Sequence, residues 1–228
     1  MQDNERRNYE MLGCARDFFV PRADGFPTTS SGGELITELN GVLQEISLNA
    51  EAKVSHASAA AQGTANRGAA RDSLRGLVEA ISRTARAMAL DTPGFDKLFQ
   101  MPRGSNDQSL LMTARAFLTN SEAHKADFIR NELPATFHED LRRLISEFEQ
   151  SIASQNQNLG ARVSATRAVK TKIVHGISIV RRLDAIVRNK FSGDAASLAE
   201  WERATHVERA PRRAKPKPNS GNGASSSN

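Results

Sequence analysis

Cysteine is almost absent from this chain. Cys14 stands alone among 228 residues, so no intrachain disulfide forms and nothing argues for an oxidising compartment. Its spacing from Met11 and Phe18 reads as that of a small buried hydrophobe. Aromatics reach only 5%, with one Trp and one Tyr, and the β-branched alternation of half-buried strands is missing almost everywhere. What remains favours helices packed by Leu, Ile, Val and Ala. Long apolar runs are lacking too. The longest uncharged one, Ile173 to Val180, contains His175 and Gly176 and is far shorter than a membrane span. The first twenty residues carry Asp3, Glu5, Arg6, Arg7, Glu10, Arg16 and Asp17, which no signal-peptide core tolerates. A soluble protein in the cytoplasm, with no membrane attachment, is the expectation.

Charge of one sign is abundant only at the end of the chain. The formal net charge is +5. From Val207 onward, Arg209, Arg212, Arg213, Lys215 and Lys217 face Glu208 alone, a net of +4 that leaves +1 for the preceding residues. The folded body is therefore nearly neutral and the basicity belongs to a tail. Pro, Lys, Gly, Ser and Asn dominate that tail (207–228), and such a composition has nothing to bury, so it is expected to be disordered.

What the chain does have is a heptad pattern between Leu141 and Val187. One series reads Ile145, Ile152, Leu159, Thr166, Ile173, Val180 and Val187. Its companion reads Leu141, Phe148, Gln155, Arg162, Val169, Gly176 and Leu183. Ten of the fourteen are apolar, and no proline interrupts them. A repeat of about 3.5 residues keeps one seam of a helix against a partner helix.

The partner is a second long helix, expected over about 33–90. Leu35, Leu39, Val42 and Ile46 mark its first core face, and Leu74, Leu77, Ile81 and Met88 its last. Ser31-x-x-Glu34 reads as its capping box, and Pro93-Gly94 as its stop. A break near Gly63 to Gly68 is the alternative, because an interior glycine costs roughly 1 kcal/mol relative to alanine. Shorter helices are expected over about 4–19 and 107–130, with a docked turn around Phe95 to Met101 between them. The heptad helix should run over about 134–191, with Pro134 in its first turn, and a last short helix follows Asp194.

An internal duplication relates the two halves. Leu12-x-x-Ala15-Arg16-x-Phe18 matches Leu111-x-x-Ala114-Arg115-x-Phe117, and Ile81-Ser-Arg83 falls opposite Val180-Arg-Arg182. The fold expected from this is all-α. Two long antiparallel helices carry two shorter ones, one packed at each end, in a pseudo-two-fold repeat of residues 1–105 and 106–206. The short helices leave about 20 Å of seam uncovered at the centre. There Lys53, His56, Gly63 and Arg67 should face Gln155, Gly160, Arg162 and Thr166, making a thin, polar waist.

The segments Ile81-Ser-Arg-Thr-Ala-Arg86 and Arg181-Arg-Leu-Asp-Ala-Ile-Val-Arg-Asn-Lys190 resemble an uncharacterised family of all-helical bacterial proteins. The likeness covers most of the body but not the tail. It implies the helical fold and, since no activity is assigned to that family, no chemistry.

Catalytic signatures are scarce. Glu51 to His56, Glu122 to His124 and His138 to Glu139 lack the spacing of a bundle metal site, no strand precedes a glycine-rich loop, and nothing marks a nucleophile triad. No cofactor or metal is implied, and the reading leans away from an enzyme. The sharpest charged feature is the set Arg83, Arg86, Arg181, Arg182, Arg188 and Lys190. Within it Arg181, Asp184 and Arg188 are spaced as a surface ion ladder, against a second reading as a phosphate or acidic-partner face. The function expected is that of a non-enzymatic helical interaction or scaffold protein binding another protein. The alternative is a nucleic-acid-associated protein using the basic tail and that Arg-rich face. A monomer is favoured over a waist-mediated homodimer, because Lys53, Arg67 and Arg162 would bring like charges together.

Overall fold

A computed structural model describes residues 1–104 and 106–207. The chain is all-helical: among the described residues there is no strand. Six α-helices follow in order among them, α1 (Asp3–Asp17), α2 (Ser31–Met88), α3 (Asp107–Ser121), α4 (Lys125–Arg130), α5 (Phe137–Lys190) and α6 (Ala195–Ala204). Short 3₁₀ turns occupy Val20–Gly25, Phe95–Phe99 and Glu122–His124. The expectation for the basic tail lies outside the described residues, apart from Val207.

The chain divides into two compact units. One comprises Met1–Leu43 and, among the described residues, 173–207; the other is Gln44–Lys172. These units do not follow the halves 1–105 and 106–206, since each draws on both.

In the first unit α1 buries Met11, Leu12 and Ala15, and Phe18, which follows its last residue, is buried with them. Cys14 is exposed, which corrects its reading as a core residue. The burial face runs through positions 11, 12, 15 and 18, and Cys14 lies beyond its edge, about a quarter of a turn from its centre. Trp201 of α6 is fully buried, with its ring centroid 5.1 Å from that of Phe18 and 5.4 Å from that of Phe19. Its indole Nε1 donates to Asp184 Oδ1 at 2.9 Å, so the polar edge of the largest side chain is satisfied. Asp194 caps α6, accepting from the backbone N–H groups of Ala196 and Ser197 at 3.1 Å each.

Helix α2 starts one turn position earlier than the capping box at Ser31 implies. The cap is Ser30, whose Oγ accepts from Gly33 N at 3.1 Å and donates to Pro27 O at 2.7 Å. Gly33 has no room for a side chain, because a Cβ there would lie 2.1 Å from the Pro27 carbonyl oxygen. The helix then continues without the break considered at Gly63 to Gly68.

In the second unit Leu74, Val78, Ile81 and Ala85 of α2 pack with Leu110, Leu111, Ala114 and Phe117 of α3 and with Leu141 and Phe148 of α5. Phe99 lies among Phe117 and Phe128, with centroids 5.2 Å from each. The helix expected as one piece over 107–130 is interrupted by the 3₁₀ turn at Glu122–His124, where the His124 ring stacks edge-on against Phe95 at 5.0 Å. Pro134 lies before α5 rather than in its first turn, and its carbonyl accepts from Phe137 N at 3.0 Å.

Candidate interaction surface

The polar seam expected at the middle of the long helices is partly assembled in the second unit. Gln155 is buried, and Gly63 offers it a flat surface: a Cβ there would lie 3.6 Å from the Gln155 Cα. The Gln155 amide is bonded at both ends. Its Nε2 donates to Thr64 Oγ1 at 2.8 Å, and its Oε1 accepts from Arg67 Nη1 at 2.6 Å. Arg67 Nε also donates to Asp107 Oδ2 at 2.8 Å, while Arg71 Nε lies 2.9 Å from Asp107 Oδ1. Asp107, the first residue of α3, thus holds two guanidinium groups of α2.

Beyond that knot the unit thins. Over residues 44–66 and 156–172 the buried side chains shrink to Ile46, Ala60, Ala165 and Val169. Lys53, His56 and Thr166 are half-buried, and the Thr166 hydroxyl donates to the Arg162 carbonyl at 2.9 Å. Arg162 and Gly160 are exposed, so they do not join the seam as expected. Gly160 falls off the buried line that runs through Gln155, Ala165 and Val169, whereas Arg162 stands on that line and its long side chain reaches out to water.

Apolar side chains are stranded on the outside of the same stretch. Val163 is 67% exposed, Leu159 43% and Val54 67%. Leu159, Arg162, Val163, Thr166, Arg167 and Lys170 line a shallow groove of about 440 Å³. Charge in this region has one sign. No Asp or Glu occurs in 52–71 or in 150–172, whereas Lys53, Arg67, Arg71, Arg162, Arg167, Lys170 and Lys172 do. Asp107 takes up Arg67 and Arg71, and Glu45 pairs with Lys172. Arg162, Arg167 and Lys170 pair with no carboxylate among the described residues. Sequence reasoning placed Leu159 in the seam and missed this surface; the acid-free run is the signal that marks it.

The Arg-rich face expected in 83–86 and 181–190 is divided between the units. In the second unit Arg83 is exposed, and Arg86 donates from Nη2 to Ser82 Oγ at 3.4 Å. In the first unit Arg181 and Arg182 are exposed. Arg188 pairs with Asp184 at 3.0 Å and Glu202 at 3.4 Å, and the hydrogen bond to Asp184, reinforced by its charge, raises the Arg188 pKa above its ordinary value. Lys190 donates to the Gly25 carbonyl and lies 4.4 Å over the Phe26 ring. The expected ion ladder keeps one rung, Asp184 to Arg188, and Arg181 joins no ion pair among the described residues.

A second constellation was not foreseen. Ser121 Oγ lies 2.8 Å from His138 Nε2, and His138 Nδ1 lies 3.0 Å from Glu122 Oε2. With Nδ1–H donated to the carboxylate, Nε2 is left to accept the Ser121 hydroxyl proton, the order of a hydrolytic triad. Access decides against that chemistry. Ser121 is 0% exposed and His138 1%, so no carbonyl carbon reaches Oγ. Ser121 and His138 form a buried strut between the end of α3 and the start of α5, and exposed Glu122 holds its outer end.

Among the described residues no cluster of three or more His, Cys, Asp or Glu is arranged to hold a metal ion, and no helix is long and apolar enough to cross a membrane. No family model, no curated protein and no solved structure matches this chain.

Proposed function

We propose that this chain is a non-enzymatic helical interaction protein that binds another protein through the two-helix stretch of its second unit. The observation that carries this reading is the exposure of Leu159 and Val163 on a helix face with unneutralised cations beside it. Interior-type side chains at helical spacing, left open where the buried core has shrunk to small residues, fit a surface that awaits a partner.

The scaffold that presents the surface is two related halves with α2 and α5 antiparallel. Within the second unit Glu45 meets Lys172 and Thr64 meets Gln155, and within the first Glu38 meets His175. Gly32 also lies beside Ile186 in the first unit, so in each unit the numbers rise on one helix as they fall on the other. Ala15 and Ala114 are both fully buried, as are Phe18 and Phe117 nearly so, which supports the duplication.

A nucleic-acid role has less support. Arg188 and Lys190 are already engaged within the fold, and no aromatic residue occurs among 44–94 or 149–172 on which a base would stack.

A benzophenone side chain placed at position 163 in living cells should give a covalent adduct with another protein, and one at exposed Gln108 should not. Equal labelling from both positions, or none, counts against an interaction surface at Val163.

A further inference from the structure

The groove shows what chemistry its partner carries. We infer that it receives an acidic amphipathic helix, one whose apolar stripe is flanked by Asp and Glu. This rests on the interaction reading above.

Shape comes first. Leu159 and Val163 are four residues apart, so they stand one above the other on α5. Val54 of α2 lies at the level of Val163, because the pairs Glu45–Lys172 and Thr64–Gln155 bracket that level on either side. At 100° per residue, Val54 is turned roughly a quarter of a turn from the buried line of α2, and Leu159 and Val163 a quarter to a third of a turn from that of α5, in the same sense. In an antiparallel pair, equal senses of rotation fall on one side of the pair. The three apolar side chains therefore edge a single shallow trough between two helices. A third helix laid there completes a three-helix section, as α3 does where it covers Leu74, Val78 and Phe148.

Charge then selects the occupant. Arg162, Arg167 and Lys170 border the trough, and among the described residues no carboxylate neutralises them. A second copy of this surface would set these cations against their own kind, which disfavours self-pairing. A nucleic acid would satisfy the cations but leave Val54, Leu159 and Val163 in water, with no aromatic side chain nearby to stack on. A helix with an apolar stripe and acidic flanks satisfies both sets of groups at once.

The test uses the full-length chain and a fluorescein-labelled synthetic peptide of about six turns, its Leu residues at i, i+3, i+4 and i+7 and its flanks Glu. Anisotropy should rise on addition of the protein. A peptide of identical composition in scrambled order should bind at least about tenfold more weakly, and so should the original peptide to an Arg162→Glu, Arg167→Glu, Lys170→Glu variant. That variant should retain wild-type helicity, since all three side chains are exposed, and should now bind a peptide with Lys flanks. The inference is overturned if scrambled and ordered acidic peptides bind alike, if a duplex oligonucleotide binds more tightly than either, or if no acidic peptide binds at all. Failure here is separable from failure of the interaction reading: adducts from position 163 with no peptide binding would leave a protein partner of other chemistry, whereas absence of both would remove the surface altogether.

Discussion

Arg67 and Gln155 hold the polar section of the second unit together: the guanidinium Nη1 donates to the amide Oε1 at 2.6 Å, and the same amide donates onward to Thr64. Gln155 itself is buried, while exposed Thr64 and partly exposed Arg67 can turn to water when the amide is removed, so what is lost is the net value of the bonds. Gln155→Ala should therefore lower stability by about 0.5–1.5 kcal/mol in urea unfolding. A polar seam is not a weak one where its groups find each other. An unfolding midpoint equal to wild type would mean that this chain of bonds contributes nothing.

Thr166 is the contrast. It is half-buried and its hydroxyl bonds only to a carbonyl of its own helix, so Thr166→Ala should be near neutral. Ile81→Ala and Leu144→Ala delete buried side chains of the main core of the second unit and should each cost on the order of 2–4 kcal/mol. Denaturation that ranks Thr166→Ala with the other two would show that the section around Arg162 is a core after all.

Two glycines of α2 should respond in opposite directions. A methyl group at Gly33 would run into the Pro27 carbonyl, which is backbone and cannot swing away, whereas nothing lies within 4 Å of the position a Cβ would take at Gly68. Gly68→Ala should raise stability by roughly 0.5–1 kcal/mol through the better helix propensity of alanine. Gly33→Ala should lower it, and a thermal melt of the pair reads both signs in one experiment.

The helical nature of the chain was legible because it is written in local patterns: apolar spacing in α2 and α5, Asp194 before α6, Pro93-Gly94 after α2. What was not legible depends on which neighbours arrive. Gly63 and Gly68 argued for a break, yet Gly63 packs on Gln155 and the Thr64 hydroxyl bonds back to the Ala60 carbonyl, so the helix runs on. The turn at Glu122–His124 contains neither Gly nor Pro; it is held by His124 against Phe95 and by Ser121 against His138, both tertiary contacts. Cys14 had the spacing of a core residue, but it lies at the edge of the buried face of α1, on the open side. Of the expected seam, Gly63, Arg67 and Gln155 met and Arg162 did not: it stands seven residues from both Gln155 and Val169, which are buried, but where the core has shrunk its long side chain extends into water.

The Ser121, His138 and Glu122 strut makes a chemical prediction. A serine activated for attack reacts with fluorophosphonates, but a hydroxyl with no exposed surface gives the reagent no approach. Native protein should show no labelling at Ser121, while Ser121→Ala should leave a buried imidazole nitrogen without its partner and cost about 1–3 kcal/mol. Stoichiometric labelling of Ser121 would instead make the site an enzyme.

Acid should loosen the first unit through Asp194. Its carboxylate accepts the Ser197 hydroxyl at 2.6 Å and the backbone N–H groups of Ser197 and Ala196, and these bonds, the Ser197 hydroxyl foremost, hold its pKa below the ordinary value of 3.8. A carboxyl whose folded pKa is depressed stabilises the fold fully above its unfolded value. That contribution is lost as pH falls below the ordinary value and through the folded one, because protonation then costs more in the folded state. Trp201 is the only tryptophan and is buried in the helix that Asp194 caps, so its emission follows this unit. Asn caps a helix nearly as well as Asp but does not titrate in this range. The urea midpoint read from Trp201 should therefore fall less steeply between about pH 5 and about pH 2.5 in Asp194→Asn than in wild type, and the two should converge at the acid end. Asp184, which accepts from the Trp201 indole, is present in both proteins, so the difference between the two curves belongs to residue 194. Parallel curves across the whole range would show that the cap contributes no pH-dependent stability.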